Sequence, residues 1–154
     1  MHRYSIVIRK RDRTLELFDS NTRVKSYAVV LGFAPEGDKE REGDGKTPQG
    51  EFYIFVKNPQ SRFHLSLGIS YPAAQDAEHG LAAGMISQEE RDAIVFAIDN
   101  QQMPLQKTAL GGEIYIHGGG TDGDWTRGCI AMSNEDIEEL YNTVPVGTRV
   151  FIIK

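Results

Sequence analysis

Ile116-His117-Gly118-Gly119-Gly120, followed by Thr126-Arg127-Gly128-Cys129-Ile130-Ala131-Met132, is the stretch on which the reading of this chain turns. Each half joins a short apolar run to glycine, the pattern of strands that end in tight turns. Cys129 is the only cysteine among the 154 residues and lies twelve positions after His117. A thiol needs a base to act as a nucleophile near neutral pH, and an imidazole can supply it. Gly128, just before the thiol, lets the backbone turn and lets an acyl group approach.

Taken singly, His117 reads as a strand-terminal histidine and Cys129 as a small buried apolar residue. Taken together they read as the base and nucleophile of a cysteine acyl-transfer enzyme. Ser133 or Asn134, with Glu135 and Asp136 behind it, starts a helix just downstream. That placement is expected to set the thiol near a helix N-terminus, where the dipole favours thiolate. The backbone N–H groups of Gly128 and Cys129 are expected to face a developing oxyanion.

Outward from this block, residues 4–8, 14–18, 24–31, 51–56, 63–67, 113–117 and 148–153 read as strands. A helix starts at Ser87, where Glu90 completes a capping box, and its region closes at Pro104. The second helix carries a buried stripe of Ile137, Leu140 and Tyr141. Residues 32–50 form a long polar loop, and loops of that length are often functional. With no internal repeat and no linker, residues 1–154 are expected to form a single, mainly β domain.

The formal charge of -5 argues against a nucleic-acid partner and gives no support for docking on an anionic membrane. No apolar run reaches the roughly eighteen residues that a transmembrane segment needs. The first ten residues alternate apolar with polar side chains and do not form a signal peptide. The compartment stays open: cytosol, or periplasm and cell envelope if a signal sequence has been removed. Gly45-Lys46-Thr47 invites a phosphate-loop reading, but Glu40 stands where that motif needs glycine and Pro48 breaks the following helix. No metal-ligand spacing is present, and no metal or cofactor is expected. His2 and His79 are expected at the surface, and the chain is expected to be a monomer.

The His and Cys blocks resemble the signature of the YkuD-type L,D-transpeptidases. Gly43-Asp44-Gly45-Lys46-Thr47-Pro48-Gln49-Gly50-Glu51-Phe52 resembles an upstream block of that family. The stretch from Asn58 to Pro72 resembles a segment of one branch of it. The resemblance implies a sandwich-like catalytic domain with one or two packed helices. It implies a peptidoglycan stem peptide containing a diamino acid as substrate. Cys129 would attack the carbonyl after the diamino acid and expel D-alanine, passing the acyl group to an amine or to water. His117 would move the proton, oriented by the carbonyl of Gly118. The interval between His117 and Cys129 is shorter than the family's usual one. Arg127 stands where many members have histidine, and Ala131 where many have arginine. Arg127, Tyr71, His64 and Trp125 are the candidates for substrate contact. Trp125 also reads as a packing wedge under the Cys loop, and His64 as a strand-face histidine bonded to a neighbour. Two alternatives stay open: an L,D-carboxypeptidase or related cysteine hydrolase, and a non-catalytic envelope-binding module.

Overall fold

Alternating apolar residues build the first strands of the computed structural model, which describes residues 3–154. His2 lies outside the described residues. Strand β1 (Tyr4–Arg9) turns Ile6 and Ile8 inward and pairs antiparallel with β2 (Thr14–Asp19), setting Ile6 opposite Leu17 and Ile8 opposite Leu15. All four side chains are buried, and burying one such chain stabilises by about 1.5–3 kcal/mol. Strand β3 (Thr22–Ala28) continues the meander. Further along the chain follow β4 (Gly50–Ser61), β5 (His64–Ile69), β6 (Tyr115–His117), β7 (Ile130–Ala131) and β8 (Arg149–Ile153). The strands form one sheet in the order β3-β2-β1-β8-β4-β5-β6-β7, antiparallel except at β1–β8 and β6–β7.

The sheet curls on itself. Val30, just past β3, exchanges two backbone hydrogen bonds of 3.0 Å with Ala131 of β7, so the two edges meet. The core lies inside the curl and takes in Ile137 and Leu140 of helix α3 (Asn134–Thr143). A smaller apolar cluster of Ala77, Ile86, Ile94 and Leu110 lies under α1 (Ala74–Ala82) and α2 (Gln88–Asp99). The expected mainly β fold is therefore present, as one curled sheet.

Two elements go beyond the sequence expectation. Strand β7 is two residues long and exists only through its pairing with β6 and Val30. Helix α1 makes three helices rather than two. Its N-cap, Ala73, has no capping side chain, and the helix carries Gly80. Its one starting signal is Asp76, whose carboxylate accepts the Ala73 N–H at 2.9 Å. The two expected helices start as read: Ser87 and Glu90 cap each other reciprocally, and Ser133 Oγ accepts the Asp136 N–H at 3.1 Å.

The long loop of residues 32–50 is held by its own polar groups. Lys10, 3% exposed, donates to the carbonyls of Gly37 (2.8 Å) and Thr47 (2.6 Å). Thr47 Oγ1 accepts the Gly32 N–H at 3.0 Å. The Asp44 carboxylate accepts from the N–H groups of Glu40, Arg41 and Lys46 and from Lys39. These interactions bring Gly32 against Gly128. A Cβ on Gly32 would lie 2.9 Å from Gly128 Cα and would collide with the Gly45 carbonyl oxygen.

That crossing has no slack, because backbone cannot swing aside as a flexible side chain does. Gly32→Ala is expected to cost about 1–3 kcal/mol, typical of forced overpacking. Thermal unfolding followed by circular dichroism checks this. A loss under about 0.5 kcal/mol, within the ordinary scatter of surface substitutions, would show the crossing to be looser than described.

Candidate active site

Strand alternation brings the two key side chains to one face. In β6, Ile116 is buried in the core, so Tyr115 and His117 face the other way. The parallel register sets Ile116 beside Ile130 and His117 beside Ala131. Cys129, one residue ahead of β7, is thereby level with Tyr115 and on the face that carries His117. Strand β5 adds Ser66 directly opposite His117. His117 and Cys129 both line a cavity of about 380 Å³, together with Arg62, Phe63, Ser66, Glu113 and Tyr115.

The imidazole is clamped. Its Nδ1 lies 2.6 Å from the carbonyl oxygen of Gly118. A carbonyl only accepts, so Nδ1 carries the proton and Nε2 is left as the free basic nitrogen. The ring stacks on Phe63 with centroids 4.6 Å apart and planes 23° apart, and meets the edge of Trp125 at 5.6 Å. Phe63 also accepts the Gly118 N–H at 2.9 Å through its carbonyl, which ties the hairpin tip to the strand end. Asn134, at the start of α3, accepts the Gly119 N–H at 2.9 Å. Gly118 cannot take a side chain: a Cβ would lie 2.5 Å from Asn134 Oδ1.

The thiol sits on a turn organised by Thr126. Its hydroxyl donates to the Cys129 carbonyl at 2.7 Å and accepts the Gly128 N–H at 3.1 Å. Gly128 has φ +137, and a Cβ there would lie 2.8 Å from the Lys46 carbonyl oxygen. The Cys129 S–H donates to the Glu113 carbonyl at 3.4 Å, and the Tyr115 N–H donates to the sulfur at 3.4 Å. Glu113 holds a left-handed φ of +57. Gln106 fixes it, accepting the Glu113 N–H at 2.7 Å while donating to the Tyr71 carbonyl at 2.8 Å.

These surroundings keep both groups neutral at rest. Burial pushes the Cys129 thiol up to about 11, outweighing the Tyr115 N–H that favours thiolate. Burial likewise holds the His117 pKa below the ordinary imidazole value, against the opposing pull of the Gly118 carbonyl. The expected thiolate at a helix N-terminus is thus corrected. Cys129 precedes a strand rather than the helix, whose N-cap is Ser133, and its sulfur points to Glu113 and Tyr115. The sulfur's hydrogen bonds go to those two groups and not to the imidazole.

The other sequence candidates divide. Trp125 is a packing wedge: its Nε1–H donates to the Gly120 carbonyl at 3.0 Å and its ring abuts Phe63 and His117. Tyr71 does not line the groove. It is fully buried, and its hydroxyl donates to the Leu110 carbonyl at 2.7 Å. His64 faces α3, with Nε2 3.2 Å from Glu138 Oε1, and lies outside the cavity. Arg127 is exposed and lines no part of the cavity. The Gly128 N–H, expected to face an oxyanion, is held by Thr126 Oγ1. Sequence reading missed Phe63, Glu113, Gln106 and Arg62. Phe63 enters the sequence reading only as the first residue of the strand 63–67. Among the described residues, no group of three or more His, Cys, Asp or Glu is arranged to hold a metal ion, and no helix is long and apolar enough to cross a membrane.

Comparison with known proteins bears on this geometry. The family model of the L,D-transpeptidase catalytic domain (YkuD) matches residues 3–152. YafK of Escherichia coli (strain K12) is 29% identical over 153 residues, covering 95% of this chain and 48% of YafK. YqjB of Bacillus subtilis (strain 168) is 29% identical over 151 residues, covering 96% of this chain and 69% of YqjB. The fold is shared with the helical cell shape determining protein Pgp2 of Campylobacter jejuni at a TM-score of 0.69 and 22% identity, over 98% of this chain and 47% of Pgp2. It is shared also with an L,D-transpeptidase of Xylanimonas cellulosilytica at a TM-score of 0.59 and 14% identity, over 97% of this chain and 60% of that one. The chain spans about half the length of YafK and of Pgp2.

A protonated resting thiol has a distinct alkylation profile, since thiolate is the reactive form. Carbamidomethylation of Cys129 by iodoacetamide, followed by mass spectrometry without substrate, is expected to accelerate about tenfold per pH unit up to pH ~10. A flat, fast rate between pH 6 and 8 would instead mean a resting thiolate and would refute the neutral pair.

Proposed function

The chain belongs to the YkuD family of L,D-transpeptidase catalytic domains, and from that premise we propose that it transfers acyl groups of peptidoglycan stem peptides through Cys129. The observation that carries this reading is that Cys129 and a tautomerically fixed His117 line the same cavity. A χ1 rotation of Cys129, of a kind side chains make on the picosecond to nanosecond scale, frees the thiol from Glu113 and turns it to His117 Nε2. Nε2 takes the thiol proton as sulfur bonds to the carbonyl that follows the diamino acid. The Cys129 N–H is the oxyanion donor. The Gly128 N–H joins it if Thr126 releases it. The tetrahedral intermediate collapses, the C–N bond breaks, and His117 returns the proton to the departing D-alanine amine. The thioester then passes its acyl group to an amine, or to water.

Water as acceptor is the second reading, a carboxypeptidase in place of a transferase. It is favoured by the short connection of residues 118–128. That segment turns tightly through Gly119, Gly120 and Gly123, all at positive φ. A substrate of this kind belongs to the cell envelope, which is where the reading places the activity.

Incubation with a muropeptide tetrapeptide is expected to give an acyl adduct on Cys129 with release of D-alanine, seen by mass spectrometry. Cys129→Ala gives none. His117→Ala lowers kcat/KM by about 10²–10⁴, the range for a positioned general base. The acid limb of the kcat/KM profile falls below the ordinary imidazole pKa, because burial depresses His117. Cross-linked dimers in the product mixture identify transfer, and tripeptide alone identifies hydrolysis. No adduct on the wild-type protein, with Cys129→Ala indistinguishable from it, leaves the non-catalytic module as the reading.

A further inference from the structure

The cleft is electrically lopsided. On the side of the thiol its charged lining residue is Glu113, whose carbonyl holds the S–H. On the side of the imidazole it is Arg62, at the tip of the β4–β5 hairpin. The Arg62 guanidinium lies over Phe63, 5.7 Å from the ring centroid, and Phe63 stacks on His117 at 4.6 Å. Arg62 is exposed and makes no ion pair among the described residues. Its planar fork is therefore free to take a carboxylate in a bidentate grip.

Chemistry fixes which carboxylate that is. His117 must hand its proton to the leaving nitrogen, so that nitrogen lies on the imidazole side of the cleft. In a terminal α-amino acid the carboxylate is only two bonds from that nitrogen. It therefore falls on the Arg62 side, away from the repelling Glu113. We infer that Arg62 is the residue that reads the free α-carboxylate of the departing amino acid. The inference rests on the roles proposed above for Cys129 and His117, and adds a specificity-determining residue. Arg62 is the group through which a terminal residue with a free carboxylate is preferred over an amidated one. Because the acceptor amine attacks from the position that the leaving amine vacates, Arg62 also favours acceptors that carry an α-carboxylate. No covalent bond changes at Arg62 itself; proton and acyl transfer remain with His117 and Cys129.

The test compares two acyl donors, a tetrapeptide ending in D-alanine and the same peptide ending in D-alanine amide. Acyl-enzyme formation is timed by mass spectrometry for the wild-type protein, Arg62→Gln and Arg62→Lys. Arg62 is exposed at a hairpin tip, and circular dichroism confirms the fold of each variant. The wild-type protein is expected to prefer the free carboxylate by tenfold or more in kcat/KM. Arg62→Gln brings that preference close to one, and Arg62→Lys keeps part of it, as charge without the fork would. A purely structural role for Arg62 would lower both donors in the same ratio, and that outcome overturns the inference, as does an unchanged preference in Arg62→Gln. A wild-type protein that acylates with neither donor fails at the earlier step, the proposed function, and the inference falls with it.

Discussion

Three backbone segments cross at Gly32, Gly45 and Gly128 with no room for a side chain between them, and the site depends on that contact. Van der Waals exclusion at such a crossing is steep, so the position of one segment dictates the others. The first segment leaves β3 and zips against β7 through Val30 and Ala131. The second is the loop that the buried Lys10 anchors by the carbonyls of Gly37 and Thr47. The third is the turn that delivers Cys129. A tightly held loop of glycines and charges, rather than an apolar layer, thus places Cys129. The phosphate-loop likeness of Gly45-Lys46-Thr47 has a physical origin here: its hydroxyl and carbonyls are consumed internally, by Gly32 and Lys10.

The imidazole is positioned by the opposite means, an aromatic sandwich and a single backbone acceptor. A carbonyl orients a ring and fixes its tautomer without adding charge, whereas a carboxylate would raise the pKa of the imidazole. With burial alone acting against the charged form, His117 stays neutral near pH 7 and its Nε2 stays available as a base. Desolvation of the half-buried thiol likewise favours its protonated form. Desolvation thus favours the uncharged form of both groups.

Much of this was legible in the sequence, and what was not has a physical cause. The strands of the meander carry period-two apolar patterns, and Ser87 and Ser133 cap helices as local chemistry demands. His117 and Cys129 line one cavity, and the Gly118 carbonyl faces His117 Nδ1, because the residues around them are in local strand–turn geometry. The misreadings concern groups whose fate is set by distant chain. Tyr71 looked like a groove residue, yet Leu110 supplies a buried acceptor for its hydroxyl. Arg127 neighbours Cys129 in sequence, but the Thr126 turn leaves it exposed and off the cavity, whose arginine is Arg62 from another hairpin. The thiolate expectation failed because β7, only two residues long, intervenes between Cys129 and α3, and no local pattern announces so short a strand.

The last link concerns what it costs to leave the resting state. The contact that parks the thiol is an S–H donor on a carbonyl at 3.4 Å, a weak bond. The strain is on the other partner. Glu113 sits at φ +57, a conformation that costs a non-glycine residue of order 1–3 kcal/mol. Gln106 offsets that strain with three hydrogen bonds, reaching Glu113, Tyr71 and Pro104 at once. The scaffold under the sulfur is therefore stiff while the sulfur itself is loosely held. In the proposed reaction, rotation of that one side chain gives up a weak bond only. Under the proposed acyl transfer, such a site meets the substrate carbonyl with the protein frame already in place.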